Sequence, residues 1–243
     1  MDRKTQTKKI VTMFTHGIGG DFKQFSELLN VALTYGDIET FLLPGHGGAF
    51  QNLLKTNVDI WLNDVETRLL KLEKIYDEIV LVGHSLGTLL SMYAAYKHPF
   101  KVRRLLLWAT PFGVTMRSSL TQKIKYKREQ TPKTAGISAA DILSTSAPTA
   151  LQALRMLPRL SEIVTFSKRC EIVYPTLPFE IEAFQVKFDE LVVPEKSMKI
   201  LKKNPRANVH LLTESSHGYL VSPEIDQVAD TLSTMLEKAL STQ

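Results

Sequence analysis

The pentapeptide Gly83-His84-Ser85-Leu86-Gly87 places a serine between two glycines, in a context that suits a nucleophile. The apolar residues 79–82 before it predict a buried strand, and residues 86–97 predict a helix. Between a strand and a helix, a G-x-S-x-G turn is strained and holds the serine hydroxyl clear of the sheet. The helix N-terminus directs N–H groups at any negative charge that forms beside the serine. This context predicts Ser85 as a nucleophile; the alternative is a glycine-rich turn with an idle serine.

A serine hydroxyl needs a general base within hydrogen-bond reach, and the base needs an acid that orients it. A serine in such a turn is followed along the chain first by the acid and then by the histidine. Of the six histidines, His217 comes after the last predicted strand, beside Gly218. His210 lies inside a predicted strand, where ordinary packing explains it. We therefore predict His217 as the general base, against the alternative of a histidine in a surface loop.

The orienting acid should follow a strand between Ser85 and His217. Asp189 does so, since it comes directly after the strand-like residues 181–188. The end of the preceding strand, residues 108–110, offers no carboxylate. Asp189 is therefore the predicted acid, and a solvated loop aspartate is the alternative.

An acyl-transfer intermediate also needs donors for its oxyanion. The N–H group of the residue after the nucleophile supplies one, and the loop after the first strand supplies the other. These rules predict the backbone N–H groups of Leu86 and Ile18 as the oxyanion hole. His16 and His46, in the loops after the first two strands, are predicted to brace those loops.

Strand-like and helix-like segments alternate along most of the chain, which predicts an α/β fold. Apolar strands in this order form a parallel sheet that is buried on both faces, with all carboxyl ends at one edge. Active sites of open α/β sheets lie at that edge. The predicted strands are residues 10–14, 38–43, 79–82, 102–109, 181–188 and 209–212.

The alternation stops between residues 111 and 176, where four prolines separate helix-like pieces at 139–143, 149–157 and 160–168. An insertion at the edge that carries the site is typical of a lid. We therefore expect a core of residues 1–110 and 177–243 and a helical cap of residues 111–176. The apolar side chains of the cap either line a substrate pocket or pack the cap onto the core. The cap residues in question are Met116, Leu120, Ile142, Leu154, Met156, Leu157 and Phe166.

Composition limits the classes of protein that this chain can belong to. Its 243 residues are 44% hydrophobic and 23% charged, which is typical of a globular domain with a sizeable core. The single cysteine, Cys170, cannot form an internal disulfide. The basic N-terminus lacks the apolar segment of a signal peptide, and no apolar run reaches the length of a membrane span, so we expect a cytoplasmic protein.

The net charge of +5 is partly concentrated at residues 123–133. Such a run is more often a solvated face than a nucleic-acid site, so no nucleic-acid partner is expected. The sequence contains no zinc-ligand spacing, P-loop or dinucleotide-binding fingerprint, and we expect neither a metal nor a cofactor.

Five short motifs lie outside the predicted cap, at residues 16–20, 43–47, 83–87, 189–194 and 216–217. Together they resemble the motifs of bacterial carboxylesterases and monoacylglycerol lipases of the α/β-hydrolase superfamily. The resemblance covers nearly the whole chain outside the cap and implies a serine hydrolase fold with a catalytic triad. The chain departs from the family in two places. Its first strand begins near residue 8, which suggests a trimmed sheet of about six strands, and Ile18 stands where the family often has an aromatic or small residue.

The residues and the resemblance together predict an esterase that acts on small-molecule esters through an acyl-enzyme on Ser85. The apolar cap favours short to medium acyl chains on lipid-like or aryl esters, and it would allow transient contact with lipid or a membrane surface. The same triad also suits a thioesterase or a hydrolase of carbon–carbon bonds. A protein of this fold that senses a ligand without turnover is the non-enzymatic alternative.

Overall fold

A computed structural model describes residues 8–114, 149–189 and 191–241 of this chain. Its strands are β1 (Ile10–Thr15), β2 (Asp37–Thr40), β3 (Glu78–His84), β4 (Val102–Trp108), β5 (Glu180–Val186) and β6 (Ala207–Leu212). The six strands pair side by side in one parallel sheet, in the order β2-β1-β3-β4-β5-β6. All strand carboxyl ends therefore lie at one edge, as the sequence predicts for an α/β-hydrolase sheet.

Helices cover both faces of the sheet, because the strand residues are apolar on both sides. The described α-helices are α1 (Ser26–Leu33), α2 (Phe50–Leu54), α3 (Val58–Leu72), α4 (Leu86–Lys97), α5 (Ala150–Arg155), α6 (Leu157–Val173), α7 (Pro194–Leu201) and α8 (Glu224–Ser241). Helices α1 and α8 bury one face of the sheet, and α3, α4 and α6 bury the other.

Strand β2 is shorter than predicted, because it ends at Thr40 instead of continuing to Leu43. Leu43 is buried, but its N–H group donates to Nε2 of His16 at 3.0 Å instead of joining a strand ladder. The apolar residues 41–43 therefore continue past the end of the observed strand, which is why the sequence pattern predicted a longer one.

The apolar spacing of residues 58–72 predicts helix α3, with Thr56 and Asp59 as candidate caps for its start. The side chain of Asn57 caps the helix instead, because its Oδ1 accepts a hydrogen bond from Ile60 N at 2.8 Å. Thr56 directly precedes this cap and donates its hydroxyl to the carbonyl oxygen of Leu53 at 2.7 Å.

Part of the segment predicted as a cap packs directly on the core. The ring of Phe166 in α6 lies 5.2 Å from the ring of Tyr93 in α4, and both Phe166 and Cys170 are buried. The thiol of Cys170 lies 3.6 Å from the carbonyl oxygen of Leu89. For Phe166, packing on the core is therefore the role that the structure supports, rather than lining a pocket.

The division into a core and a cap at residues 110 and 177 stays a prediction. The predicted helix at 139–143 lies outside the described residues, as do Met116, Leu120 and Ile142. Within the described part of the segment, Leu154 and Leu157 are exposed and Met156 is buried. Among the described helices, none has the length and apolar character that crossing a bilayer requires.

Candidate active site

Strand β3 ends directly in the turn that carries Ser85, and α4 begins at the next residue. Ser85 has φ 49° and ψ −118°, a backbone conformation that a residue with a side chain rarely adopts. This strain turns the chain sharply from the strand into the helix. It places the serine side chain at the carboxyl edge of the sheet, as the G-x-S-x-G pattern predicts.

The turn needs a glycine at position 87, because helix α4 passes close to β1. A Cβ atom added to Gly87 would lie 1.9 Å from the carbonyl oxygen of Thr15. No real side-chain atom approaches backbone so closely, so the helix can reach this position only with a bare Cα. The second glycine of the motif is therefore required by packing between α4 and β1.

The three side chains predicted to form a triad lie in hydrogen-bonding contact. Nε2 of His217 lies 2.9 Å from Oγ of Ser85, and Nδ1 of His217 lies 2.8 Å from Oδ2 of Asp189. All three residues are buried. Because a carboxylate only accepts, this arrangement places the proton of His217 on Nδ1 and leaves Nε2 free to accept the serine proton.

The second carboxylate oxygen of Asp189 accepts hydrogen bonds from the backbone. Oδ1 accepts hydrogen bonds from the N–H groups of Leu191 at 2.8 Å and Val192 at 2.7 Å. With Oδ1 occupied by these donors, Oδ2 is directed at His217. The carboxylate is thus oriented before any substrate is present.

Glu224, near the start of α8, holds the loop that carries the histidine. Its carboxylate accepts hydrogen bonds from the backbone N–H groups of Thr213, Glu214 and Ser215, the last two at 3.0 and 2.8 Å. Burial alone would raise the pKa of Glu224, but a hydrogen bond from the Ser215 side chain and those from the three backbone groups outweigh it and leave the pKa below its ordinary value. No sequence pattern points to Glu224, because nothing in its local sequence shows which backbone groups it contacts.

The loop after β1 approaches the serine closely. A Cβ atom added to Gly17 would lie 3.1 Å from Cβ of Ser85, so Gly17 packs against the turn that carries the serine. Leu86 is the first residue of α4, where backbone N–H groups have no acceptor within the helix. The assignment of the Leu86 and Ile18 N–H groups as oxyanion donors stays a prediction.

His16 and His46 connect the loops after β1 and β2, as the sequence analysis predicts. Nε2 of His16 accepts from Leu43 N, and Nε2 of His46 accepts from Gly19 N, both at 3.0 Å. Burial lowers the pKa of each histidine to about 4, so both rings are neutral near neutral pH. A neutral ring is required here, because each Nε2 must keep a lone pair to accept.

In the described ranges 8–114, 149–189 and 191–241, no group of three or more His, Cys, Asp or Glu side chains is arranged to hold a metal ion. Cys170 lies in the core, where burial raises the pKa of its thiol well above the usual range. Its thiol is therefore an inert core side chain and not a second nucleophile.

The chain matches a family model described as the alpha/beta hydrolase fold over residues 13–227. This match spans most of the sequence and includes all three members of the hydrogen-bonded triad. The protein therefore belongs to the α/β-hydrolase family.

Individual relatives are more distant. A provisionally named esterase/lipase of Mycoplasma genitalium is 28% identical over 127 residues, which are 48% of this chain and 45% of that protein. The match thus spans less than half of the length of that relative.

Solved structures share the fold at low sequence identity. One is a metagenome-derived lipolytic enzyme from work on LipS and LipT, with a TM-score of 0.76 and 16% identity over 96% of this chain and 95% of that chain. Another is Est1E of Butyrivibrio proteoclasticus with ferulic acid bound. It has a TM-score of 0.68 and 14% identity over 100% of this chain and 94% of that chain. A thioesterase domain from the curacin biosynthetic pathway has a TM-score of 0.60 and 17% identity over 94% of this chain and 91% of that chain. At these identities the similarity shows a common fold.

Proposed function

We propose that this protein is a serine hydrolase that cleaves carboxylic esters through an acyl-enzyme on Ser85. The observation that carries the proposal is the buried, continuous hydrogen-bond chain from Ser85 through His217 to Asp189. A nucleophile, a base and an orienting acid in contact at the carboxyl edge of the sheet are the arrangement that acyl transfer requires.

In the proposed reaction, Oγ of Ser85 attacks the ester carbonyl carbon while Nε2 of His217 takes the hydroxyl proton. The carbonyl oxygen becomes an oxyanion, which accepts hydrogen bonds from the N–H groups of Leu86 and Ile18. When the intermediate collapses, the bond to the alcohol oxygen breaks and His217 gives its proton to that oxygen. Asp189 stabilises the imidazolium that exists between these two proton transfers.

Water then repeats the sequence on the acyl-enzyme. His217 takes a proton from water as the water oxygen attacks the acyl carbon, and the second oxyanion forms in the same hole. Collapse releases the carboxylic acid, and the proton returns to Oγ of Ser85. The cycle uses only the triad and backbone donors.

The proposed substrates are esters with short to medium acyl chains on lipid-like or aryl alcohols. The support is the set of apolar side chains in residues 111–176, a segment that we propose covers the site as a cap. Among these side chains, Leu154 and Leu157 are exposed. The fold and the triad suit thioesters equally well, so acyl-CoA compounds are the comparison that separates the two substrate classes.

The test combines a mechanism-based label with a substrate series. A fluorophosphonate probe should label the wild-type protein but not Ser85→Ala. The kcat of Ser85→Ala should be no more than about 1/10⁴ of the wild-type kcat. Ser161→Ala, which removes an exposed hydroxyl in α6, should behave as wild type.

The substrate series consists of p-nitrophenyl esters of increasing acyl length and the matching acyl-CoA thioesters. Higher kcat/KM on the esters supports the proposal, while a preference for the thioesters would reassign the protein as a thioesterase. A folded protein that is neither labelled nor turns over any compound of the series would refute the enzymatic role.

A further inference from the structure

His84, the residue directly before the serine, lies between the three loops that form the site. It is 5% exposed, and its Nε2 lies 2.7 Å from the backbone carbonyl oxygen of His217. This contact joins residues that are 133 positions apart in the chain. It connects the turn that carries Ser85 directly to the backbone of the proposed base.

The partner of His84 determines which ring nitrogen carries the proton. A carbonyl oxygen only accepts hydrogen bonds, so Nε2 of His84 must be the donor and must be protonated. Burial lowers the pKa of His84 well below its ordinary value, so the ring is neutral and Nδ1 has a lone pair. Nδ1 is buried and has no hydrogen-bond partner among the described residues. The ring is thus held by its Nε2–H group and by packing.

Packing restricts the ring on three sides. Its centroid lies 4.2 Å from the ring of Trp108 at the end of β4 and 5.1 Å from the ring of His217. On a third side, a Cβ atom added to Gly17 would lie 2.9 Å from Nδ1 of His84. With these neighbours the ring has little freedom to turn, so the Nε2–H group keeps its direction toward the carbonyl oxygen.

We infer that His84 is a positioning residue, whose Nε2–H group fixes the backbone of His217 so that the imidazole stays within reach of Ser85. This inference rests on the proposed function, since it assigns His84 a role in presenting the proposed base. His84 does not touch the reacting atoms itself. It acts through the carbonyl oxygen of His217.

The physical reason is the small tolerance of proton transfer. Nε2 of His217 and Oγ of Ser85 are 2.9 Å apart, and a displacement of about 1 Å lowers the rate of such a step by about 100-fold. His217 lies in the loop after β6, so the hydrogen bonds of the sheet do not hold it in place. A buried hydrogen bond from the neighbouring turn restricts the movement of the backbone that bears the base.

Two substitutions separate the N–H donor from the ring. His84→Phe keeps an aromatic ring against Trp108 but removes the donor, whereas His84→Gln loses the ring and retains an N–H donor that can reach a similar position. His98→Phe, at the end of α4 and away from the site, is the matched control for loss of a histidine. Each protein is titrated with the fluorophosphonate probe, so that kcat is expressed per reactive serine.

We expect His84→Phe to lower kcat per active site by about 10- to 100-fold with KM within about twofold of wild type. His84→Gln should recover kcat to within about fivefold of wild type, and His98→Phe should not change it. Equal kcat in His84→Phe and wild type, or equal losses in His84→Phe and His84→Gln, would overturn the inference. If the wild-type protein is neither labelled by the probe nor hydrolyses any substrate of the series, the proposed function fails, whatever the His84 variants do.

A second measurement needs no variant and no activity. In wild-type protein labelled with ¹⁵N-histidine, NMR should show His84 as the neutral tautomer with its proton on Nε2, and that proton should exchange slowly with solvent. A proton on Nδ1, or a charged ring at pH 7, would contradict the hydrogen bond on which the inference rests.

Discussion

At the scale of single residues, the site depends on which atoms accept and which donate. Asp189 uses one carboxylate oxygen for the backbone N–H groups of Leu191 and Val192 and the other for His217. His217 therefore carries its proton on the nitrogen that faces Asp189, and the nitrogen that faces Ser85 remains free. The proposed chemistry depends on this tautomer as much as on the distances.

Asp189→Asn tests that dependence. An asparagine whose NH₂ group faces Nδ1 of His217 favours the opposite tautomer, in which Nε2 carries the proton and cannot accept one from Ser85. We expect kcat to fall by about 10³- to 10⁴-fold with little change in KM, measured by steady-state hydrolysis of an aryl ester. Asp59→Asn, at an exposed position in α3, should retain wild-type kcat. Retention of more than a tenth of kcat in Asp189→Asn would contradict the role of Asp189.

Residue types and chain order were enough to predict Ser85, Asp189 and His217 as a set, and the structure places their side chains in contact. His84 directly precedes the serine and cannot occupy the last place in that chain order, so the sequence pattern assigns it no role. Its contact with the His217 carbonyl oxygen could not be predicted, since it joins two loops that only the folded sheet brings together.

At the scale of elements, the position of helix α4 over β1 depends on a single missing side chain. A methyl group at position 87 would collide with the carbonyl oxygen of Thr15, which belongs to a central strand and cannot move away. Because the helix start also carries Ser85 and Leu86, a shift of α4 would displace the proposed nucleophile and one oxyanion donor together.

We expect Gly87→Ala to lower the free energy of unfolding by about 3 kcal/mol or more, measured by chemical denaturation. Gly48→Ala is the control, since a Cβ atom at that position would meet only the side chain of Asn52 at an ordinary 3.7 Å. Similar denaturation midpoints for the two variants would show that α4 can shift to accept the methyl group.

Helix α8 holds the loop that carries His217 through Glu224. Replacing Glu224 with glutamine removes one of the two carboxylate oxygens that accept from Thr213, Glu214 and Ser215. At pH 7 we expect Glu224→Gln to be about 1–3 kcal/mol less stable than wild type, because a buried N–H group loses its acceptor.

The pKa of Glu224 is lowered in the folded state, so its carboxylate stabilises the fold above pH 4.5, its ordinary pKa. That contribution is lost as the pH falls through the folded-state pKa. The stability difference between wild type and Glu224→Gln should therefore shrink below pH 4.5, as measured by urea unfolding at several pH values. A difference that stays constant down to pH 3 would mean that the charge of Glu224 is not involved.

At the scale of the whole molecule, acid should weaken the fold through its buried histidines. His16 and His46 have pKa values of about 4 in the folded protein against 6.5 when exposed, because burial disfavours the charged rings. Between pH 6.5 and 4 the unfolded chain therefore binds protons that the folded protein does not, and stability falls as the pH falls. Protonation also removes the acceptors of Leu43 N and Gly19 N.

We expect the free energy of unfolding to decrease by up to about 3 kcal/mol for each of these two histidines between pH 7 and pH 4. Urea unfolding at intervals of half a pH unit measures this decrease. His46→Gln should be less stable than wild type at pH 7 but should lose less on acidification, since it has one buried imidazole fewer. A wild-type stability that is flat between pH 7 and pH 5 would contradict the buried, neutral state of these rings.

The sequence alone determined the order of strands and helices, the parallel sheet and the identity of the three residues proposed for catalysis. The elements and the sheet follow from hydrophobic periodicity and from the rule that parallel strands end at one edge. The three residues follow from the G-x-S-x-G turn and from the chain order of acid and histidine, and neither step needs knowledge of distances. It did not determine where β2 ends or which residue caps α3, because a tertiary contact to His16 and the local direction of the Asn57 side chain decided them.

Only the tertiary structure decided the tautomers, the hydrogen bonds of Glu224 and the contact of His84. Hydrogen bonds are lost when atoms move by a few tenths of an ångström, and no sequence pattern specifies positions that finely. The Ser85–His217 contact itself joins residues 132 positions apart. Chain order predicts that these residues meet at one edge of the sheet, and packing decides whether they meet in a geometry that can transfer a proton.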